Sequence, residues 1–275
     1  MKKLTILSAA VIMAFSAPAA MAKVSEAEAA KLGNELTPIG AVKAGNADGS
    51  IPAWDNGITS PVAGYEKGMH HPDPFPSDKI LFTITNANKA QYAEFLTPGQ
   101  NKLFELYPDT YKMNVYETRR TASLPQYVYD ATKANALNAE LVANGNGVSG
   151  ASISVPFPIP NNGLEVIWNH ILRYRGVDIK TARSQAAPTA GGAYTLIETA
   201  EEIRFSYSRP EVTLDQLKES NTLFFFKQVV RQPARLAGTA LLVKETMDQE
   251  ALPRQAWTYN TGQRRVRKAP NVGAL

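Results

Sequence analysis

Apolar and polar residues alternate along much of the second half of the chain, and this period of two predicts β-strands. The clearest example is Ile203, Phe205 and Tyr207, which are separated by polar residues and should share one face of a strand. Such runs follow one another with no predicted helix between them, as in an antiparallel meander. They cover residues 177–185, 193–199, 202–208, 222–230, 237–247, 255–259 and 264–268.

The segment before these runs has the period of a helix instead. Apolar residues recur there at intervals of three and four positions, which predicts an amphipathic helix over residues 164–174. Asn162 is a suitable N-cap and Gly176 a suitable stop. The predicted inward stripe is Leu164, Ile167, Trp168, Ile171 and Leu172. Because one helix can fill the concave side of a curved sheet, the pattern predicts an α+β fold with a curved antiparallel sheet.

Turns and short helices dominate the first half of the chain. Capping boxes at Ser25–Glu28 and Thr97–Gln100 each predict the start of a short helix. A longer helix is predicted over residues 124–144, where alanine is frequent. Glycine and proline are too dense between residues 37 and 78 for long regular elements. That stretch also contains aromatic residues, so we expect an ordered segment that wraps over a surface.

The first 22 residues have the pattern of a secretory signal peptide. Two lysines precede an apolar run from Leu4 to Phe15, and Ala17–Ala22 ends in a small-residue cleavage pattern. A membrane anchor is the alternative, but the run is shorter than the roughly 20 residues that span a bilayer. We therefore expect a periplasmic protein with no later transmembrane segment, with association to the outer membrane left open.

These patterns predict three regions. Residues 1–22 are the signal peptide, residues 23–149 are an N-terminal wrapping segment of short helices and loops, and residues 150–275 contain the helix and the antiparallel sheet.

Charge and cysteine content exclude some functions. The chain has 29 basic and 25 acidic residues, and loss of Lys2 and Lys3 with the signal peptide would lower its formal charge from +4 to +2. Such a small excess is not the broad basic surface of nucleic-acid-binding proteins. The chain has no cysteine, so neither a disulfide nor a lipid-carrying cysteine is available.

Several segments carry a resemblance to a known family. They are Gly40–Trp54, His70–Phe75, Tyr111–Ala122, Phe157–Gly163, Ile167–His170 with Arg173–Gly176, and Pro233–Gly238. In residues, order and spacing they resemble a family of secreted proteobacterial proteins classed as DUF1329, a domain of unknown function. The resemblance covers essentially the whole mature chain.

Members of that family are in turn similar to the periplasmic lipoprotein carriers LolA and LolB, and the hairpin of residues 255–267 is similar to a hairpin of that half-barrel fold. The resemblance implies a curved sheet whose apolar concave face shields a lipid or another hydrophobic molecule, without a cofactor. Partners among outer-membrane or export-system proteins are a further implication. Family members continue past the position of Leu275, so we expect an incomplete half-barrel.

Aromatic residues of the strand-like runs are the candidates for lining a ligand site. Apolar surface buried against them would stabilise a complex by roughly 25 cal/mol per Å² without any catalytic group. The alternative is that they only fill the protein core. They are Phe205, Tyr207, Phe224, Phe226, Trp257 and Tyr259.

Two pairs of arginines are candidates for binding a carboxylate or phosphate head group. They are Arg119 with Arg120, and Arg173 with Arg175. The second pair follows the predicted helix, where cations also interact favourably with the helix dipole. A purely structural role is therefore the alternative.

His70, His71 and Asp73 are weak candidates for metal ligands. Adjacent residues of an extended chain point apart, so a hydrogen-bonded loop is the simpler interpretation and we expect no metal. The Gly-x-Ser-x-Gly motif of many hydrolases is absent. We therefore expect no catalytic residue.

Cations are concentrated in residues 264–268 near the end of the chain. Trp257, Tyr259 and Val266 should share one face of a hairpin, while Arg265 and Arg267 point to the other. The cations are then the solvated face of that hairpin, and contact with anionic lipid is a further option.

Three classes of function follow from these patterns. A hydrophobic-molecule carrier requires an apolar cavity, an accessory partner of an envelope transport system requires an exposed apolar patch, and a hydrolase or metalloenzyme requires a polar cleft near His70. We rank the carrier first and the enzyme last.

Overall fold

The computed structural model describes residues 24–269, so the predicted signal peptide lies outside the described residues. The chain divides into two compact units. Residues 30–130 form the N-terminal unit, and residues 131–269 with 24–29 form the sheet unit. In this division Ala139 and Val148 belong to the core of the sheet unit.

The described helices are α1 (Glu26–Ala29), α2 (Pro98–Leu106), α3 (Gln126–Asn138), α4 (Gly163–Leu172) and α5 (Leu214–Ser220), with 3₁₀ helices at Lys89–Phe95 and Ala143–Gly145. The described strands are β1 (Phe82–Ile84), β2 (Met113–Val115), β3 (Glu140–Val142), β4 (Gly147–Ser149), β5 (Asp178–Pro188), β6 (Tyr194–Phe205), β7 (Phe224–Gln232), β8 (Ala240–Glu245), β9 (Gln255–Asn260) and β10 (Arg265–Lys268). No helix in residues 24–269 is long and apolar enough to cross a membrane.

In the N-terminal unit, side-chain contacts take the place of regular structure over much of the turn-rich segment. The indole Nε1 of Trp54 donates to the carbonyl of Ala122 at 2.9 Å. Phe104 of α2 is fully buried and packs edge-on against Tyr111. The predicted capping box of α2 is present, because the Thr97 hydroxyl accepts from the backbone N–H of Gln100 while the backbone N–H of Thr97 donates to the Gln100 side chain.

Strands β5 to β10 form an antiparallel sheet with the order β10-β9-β8-β7-β6-β5. Each strand pairs with the next one along the chain, so the predicted meander and the α+β class are confirmed. Among the described strands, β5 and β10 each have a single neighbour, and the sheet is not closed into a barrel.

Two details of the meander differ from the prediction. Residues 193–208 were expected to contain two strands, but β6 is continuous and has only an irregularity between Glu198 and Thr199. The connection from β6 to β7 contains α5, where no helix was predicted. Its signal was available in the sequence, because Thr213 and Gln216 form a capping box.

Helix α3 ends at Asn138, well before the predicted end at residue 144. The chain then forms a hairpin in which Leu141 pairs with Val148. Asn144 and Gly145 both have positive φ angles at its turn, the backbone conformation of a tight hairpin. Local alanine content favours helix, but residues 140–142 pair with β4 as a strand instead.

Helix α4 begins where it was predicted, since the side chain of Asn162 accepts from the backbone N–H of Glu165. Only part of the apolar stripe predicted to face inward is buried. Trp168 and Leu172 are buried, whereas Leu164, Ile167 and Ile171 are exposed at 43%, 56% and 36%. Glu165 takes part of the inward face, where its carboxylate accepts from the backbone of residue 161.

The core of the sheet unit lies beyond one end of β6, β7 and β8. Tyr207 follows β6, Leu223 precedes β7 and Met247 follows β8, and all three are buried. The cluster consists of Ala139, Val148, Ala151, Phe157, Trp168, Leu172, Tyr207, Leu217, Leu223 and Met247. Most of the length of the sheet is therefore outside this core.

The strand registers assign the side chains of the sheet to two faces, because successive side chains point to opposite sides. We call face A the side that carries the row Ile203, Phe226, Val243 and Ala256, which are cross-strand partners. We call face B the side that carries the row Lys227, Leu242, Trp257 and Lys268.

Candidate functional site

Face A carries an open apolar groove across β6 to β9. Its volume is about 360 Å³, within the range of roughly 300–1,000 Å³ that is common for small-molecule sites. The lining residues are Arg175, Ile203, Phe205, Phe224, Phe226, Leu241, Val243, Glu245, Arg254 and Ala256.

Alternation along the strands produces this groove. Ile203 and Phe205 are two residues apart on β6, as are Phe224 and Phe226 on β7, so each pair occupies the same face. The register places Phe205 opposite Phe224, and their rings pack edge to face with centroids 5.6 Å apart. The aromatic part of the groove is thus pre-formed, which limits the ordering cost of binding.

A cation lies at the aromatic end of the groove. The guanidinium carbon of Arg175 is 4.7 Å from the ring centroid of Phe205, a cation–π geometry. Partial burial, and secondly the charge of Arg173, lower the pKa of Arg175 below its ordinary value. Since arginine stays protonated in proteins, this direction indicates a positive charge that has lost part of its hydration.

Within residues 24–269 the structure shows no ion pair for Arg175. Its side chain is largely exposed. The guanidinium N–H groups can therefore donate to a carboxylate or phosphate that approaches over Phe205.

A buried ion pair forms another part of the lining. The carboxylate of Glu245 is 4% exposed and accepts from Arg254 at 2.5 Å. Gln249 donates to its other oxygen at 3.0 Å. Both carboxylate oxygens are thus bonded within the protein, and Arg175 is the lining charge for which residues 24–269 supply no ion pair.

The structure places three of the six predicted lining aromatics together. Phe205, Phe224 and Phe226 lie in the groove. Trp257 and Tyr259 do not, because their register with Leu242 and Ala240 puts them on face B. The expectation of one common lining is therefore wrong for those two residues.

Tyr207 belongs to the core instead of the groove. It is 1% exposed, and its hydroxyl donates to the carbonyl of Ser154 at 2.6 Å. Burial raises the pKa of the Tyr207 phenol above its ordinary value. This residue follows the alternation of β6 in sequence, but it lies past the end of the strand.

The four head-group arginines have different environments. Arg119 forms a two-pronged bond to Asp78, at 3.0 and 2.7 Å, and stacks over Phe75. Arg173 donates to the carbonyl of His170 at the end of α4. Arg175 is the member of the set that lies at the groove.

Arg120 hydrogen-bonds to the backbone of the N-terminal unit. Its guanidinium donates to the carbonyls of Val42 and Lys43 at 2.7 and 3.0 Å. Arg119 and Arg120 also line a cavity of about 360 Å³ within that unit. Since most of their donors have protein partners, they are poorer head-group candidates than Arg175.

The possible metal ligands are not brought together. His71 stacks on Tyr65 with centroids 4.6 Å apart, and the carboxylate of Asp73 accepts from the backbone of Phe75 at 2.8 Å. His70 is exposed. Over residues 24–269, no group of three or more His, Cys, Asp or Glu side chains could hold a metal ion.

Sequence reasoning missed the aliphatic and charged part of the groove. Ile203, Leu241 and Val243 line it, as do Glu245 and Arg254. The available signal was the spacing of two between Leu241, Val243 and Glu245. It was obscured because Leu242, on the other face of β8, is also apolar.

Comparison with known proteins gives two matches. The model of a family described as "Protein of unknown function (DUF1329)" matches residues 83–274. The chain is also 51% identical over 252 residues to the uncharacterized protein PA3922 of Pseudomonas aeruginosa. That alignment covers 92% of this chain and 55% of the relative, so the chain spans about half the length of PA3922. No solved structure matches the chain.

Proposed function

Because the chain belongs to the DUF1329 family, whose function is not known, we propose a function from the groove itself: a non-catalytic binding or carrier protein for a lipid or another hydrophobic molecule. The signal-peptide pattern of residues 1–22 supports a periplasmic location. Face A would bind the apolar part of the ligand and Arg175 an anionic head group.

The observation that carries the proposal is an open apolar groove with Arg175 at its end, a cation that has no ion pair among residues 24–269. Phe226 and Val243 are half-buried and face the opening. Arg175 lies over Phe205 with unused donors. An amphiphile satisfies both features at once, because its chain removes apolar surface from water while its acid group meets the guanidinium.

The size of the groove is sufficient for useful affinity. An acyl chain that removes roughly 250 Å² of apolar surface from water would contribute about 6 kcal/mol, at about 25 cal/mol per Å². The costs of association and ordering offset part of this. Because about 6 kcal/mol corresponds to a Kd of roughly 40 μM, we expect binding no tighter than tens of micromolar.

The ionisable groups of the groove support binding more than catalysis. Glu245 has both oxygens bonded to protein donors, so it is poorly placed to act as a general base. The other charged lining residues, Arg175 and Arg254, supply hydrogen-bond donors for an anionic group.

Dansylaminoundecanoic acid, a fluorescent fatty acid, tests this proposal. We expect its emission to rise and shift to shorter wavelength on titration into the purified protein, with saturation near one molecule per chain. An unlabelled fatty acid should displace it. Unchanged emission over a micromolar range of folded protein would contradict the proposal.

Arg175→Gln should weaken binding of a fatty acid about two- to fivefold, as expected for an exposed ion pair. It should leave the affinity for the fatty alcohol of equal chain length unchanged. Displacement of the fluorescent acid by each competitor measures both affinities. Arg173→Gln is the matched control, because this neighbouring arginine bonds to the carbonyl of His170. Equal effects of the two substitutions would argue against a head-group role for Arg175.

An accessory partner of an envelope transport system is the second candidate. Its support is the exposed apolar side of α4, formed by Leu164, Ile167 and Ile171, since exposed apolar clusters commonly mark protein contacts. A folded protein that fails to bind the fluorescent acid would make this candidate the preferred one.

A further inference from the structure

Face B of β8, β9 and β10 is chemically different from the groove. Its inner row is Leu242, Trp257 and Lys268, which are cross-strand partners. The next row is Ala240, Tyr259 and Val266. On the other side of the inner row, Lys244 and Gln255 are cross-strand partners and form a third row of face B.

Apolar side chains of this surface are open to solvent. Val266 is 65% exposed and Leu242 is 41% exposed, and Phe225 on the neighbouring β7 is 38% exposed. Trp257 and Tyr259 are half-buried. The two aromatic residues therefore combine an apolar ring with an accessible polar group.

The charges of this surface have one sign. Face B of β8, β9 and β10 carries Lys244 and Lys268 and no carboxylate. The sequence from residue 251 to residue 269 contains no acidic residue. On β7 the cation of the same row, Lys227, already pairs with Glu202 at 3.2 Å. The cations of this surface outside an ion pair are therefore Lys268, which is exposed beside Trp257 and Val266, and Lys244, whose Nζ also donates to the carbonyl of Ser220 at 3.4 Å.

This combination fits an anionic bilayer surface better than other anionic partners. Trp and Tyr favour the boundary between lipid head groups and acyl chains, and lysines near that surface are attracted to anionic lipids. A nucleic acid would need a longer basic surface to contact successive phosphates. An acidic protein segment would not need exposed valine and leucine between the cations.

We propose that face B of β8, β9 and β10 docks onto an anionic phospholipid bilayer. Leu242, Trp257 and Val266 would enter the head-group region, while Lys244 and Lys268 would contact lipid phosphates. The groove lies on the opposite face of the same sheet. Docking is therefore independent of ligand binding in the groove, and either property can fail without the other.

Co-sedimentation with vesicles tests the proposal. We expect binding to phosphatidylcholine vesicles that contain phosphatidylglycerol, and little binding to phosphatidylcholine alone. Lys244→Glu with Lys268→Glu should weaken binding by at least about tenfold, since each lysine near an anionic surface contributes on the order of a fivefold effect.

The matched control is Arg265→Glu with Arg267→Glu. These arginines lie on face A of β10, opposite Asn260 and Thr258 of β9, and the substitution changes the net charge by the same amount. We expect a much smaller loss of binding for this control. Equal losses for both variants would mean attraction by net charge alone and would overturn the docking surface.

Quenching by brominated lipids supplies an independent readout. Two of the three tryptophans, Trp54 and Trp168, are buried, so quenching on vesicle binding should come from Trp257 and should be absent in Trp257→Phe. Quenching that persists in Trp257→Phe, or polyglutamate binding as tight as vesicle binding, would overturn the proposal.

Discussion

Trp168→Ala is expected to lower the free energy of unfolding of the sheet unit by about 3–5 kcal/mol. The indole is 6% exposed and belongs to the core cluster, so its removal leaves a cavity beside neighbours that cannot fully collapse. Its Nε1 also donates to the carbonyl of Gly145 at 2.9 Å. The substitution would leave that carbonyl without its partner, which adds a cost of about 1–3 kcal/mol when the acceptor is buried from water.

Ile167→Ala on the same helix is the matched control. Ile167 is 56% exposed, so we expect a change of about 0.5 kcal/mol or less, as for other surface positions. Urea unfolding followed by far-UV circular dichroism measures both variants without relying on the lost tryptophan. Similar losses for the two substitutions would contradict the orientation of α4.

Phe226→Glu is expected to weaken binding of the fluorescent fatty acid by at least about thirtyfold. Burial of a phenylalanine side chain contributes about 1.5–3 kcal/mol, and about 1.4 kcal/mol corresponds to a factor of ten. The new carboxylate would also repel the acid group of the ligand. Phe226 lies in the middle of face A, between Ile203 and Val243.

Phe225→Glu separates this effect from general damage to the sheet. Phe225 is the next residue of β7, but it lies on face B opposite Lys244. We expect fatty-acid affinity within about twofold of the unsubstituted protein, because a surface change seldom alters free energy by more than about 0.5 kcal/mol. A thermal melt of each variant verifies that the sheet is folded. Equal losses in Phe225→Glu and Phe226→Glu would place the binding site outside face A.

The sheet could be predicted from sequence because strand periodicity is a local signal. Alternation predicted the second part of β6, an apolar run predicted β7, and glycine, proline and polar turns separated most of the other strands. The helix α5 was missed although its capping box is equally local. The predicted end of helix α3 is too late because frequent alanine favours helix, whereas residues 140–142 form β3 and the turn at Asn144 and Gly145 belongs to the β3–β4 hairpin.

The two faces of the sheet could not be assigned from sequence. Trp257 and Tyr259 share a face with each other by their spacing, but their position relative to Phe226 depends on how β9 registers with β8. Nine residues, 246–254, separate the end of β8 from the start of β9, and a shift of one residue in the register would exchange the faces. Side-chain alternation therefore predicts which residues of one strand share a face. It does not predict which residues of different strands line the same groove.

Charge partners were the other unpredictable feature. Arg119 and Asp78 are far apart in the sequence, so their bond could not be anticipated from either residue. Arg175 resembles Arg173 in its sequence context, yet the first lies over Phe205 and the second caps α4. Which arginine has free donors is decided by tertiary contacts.

Native mass spectrometry of the protein purified after periplasmic expression, followed by lipid extraction, tests most directly whether the face A groove binds an amphiphile. We predict a folded chain that carries one hydrophobic molecule with an acidic head group, and a Phe226→Glu variant that lacks it. A folded chain that is free of any bound hydrophobic molecule, and that takes up no added fatty acid, would contradict the binding function.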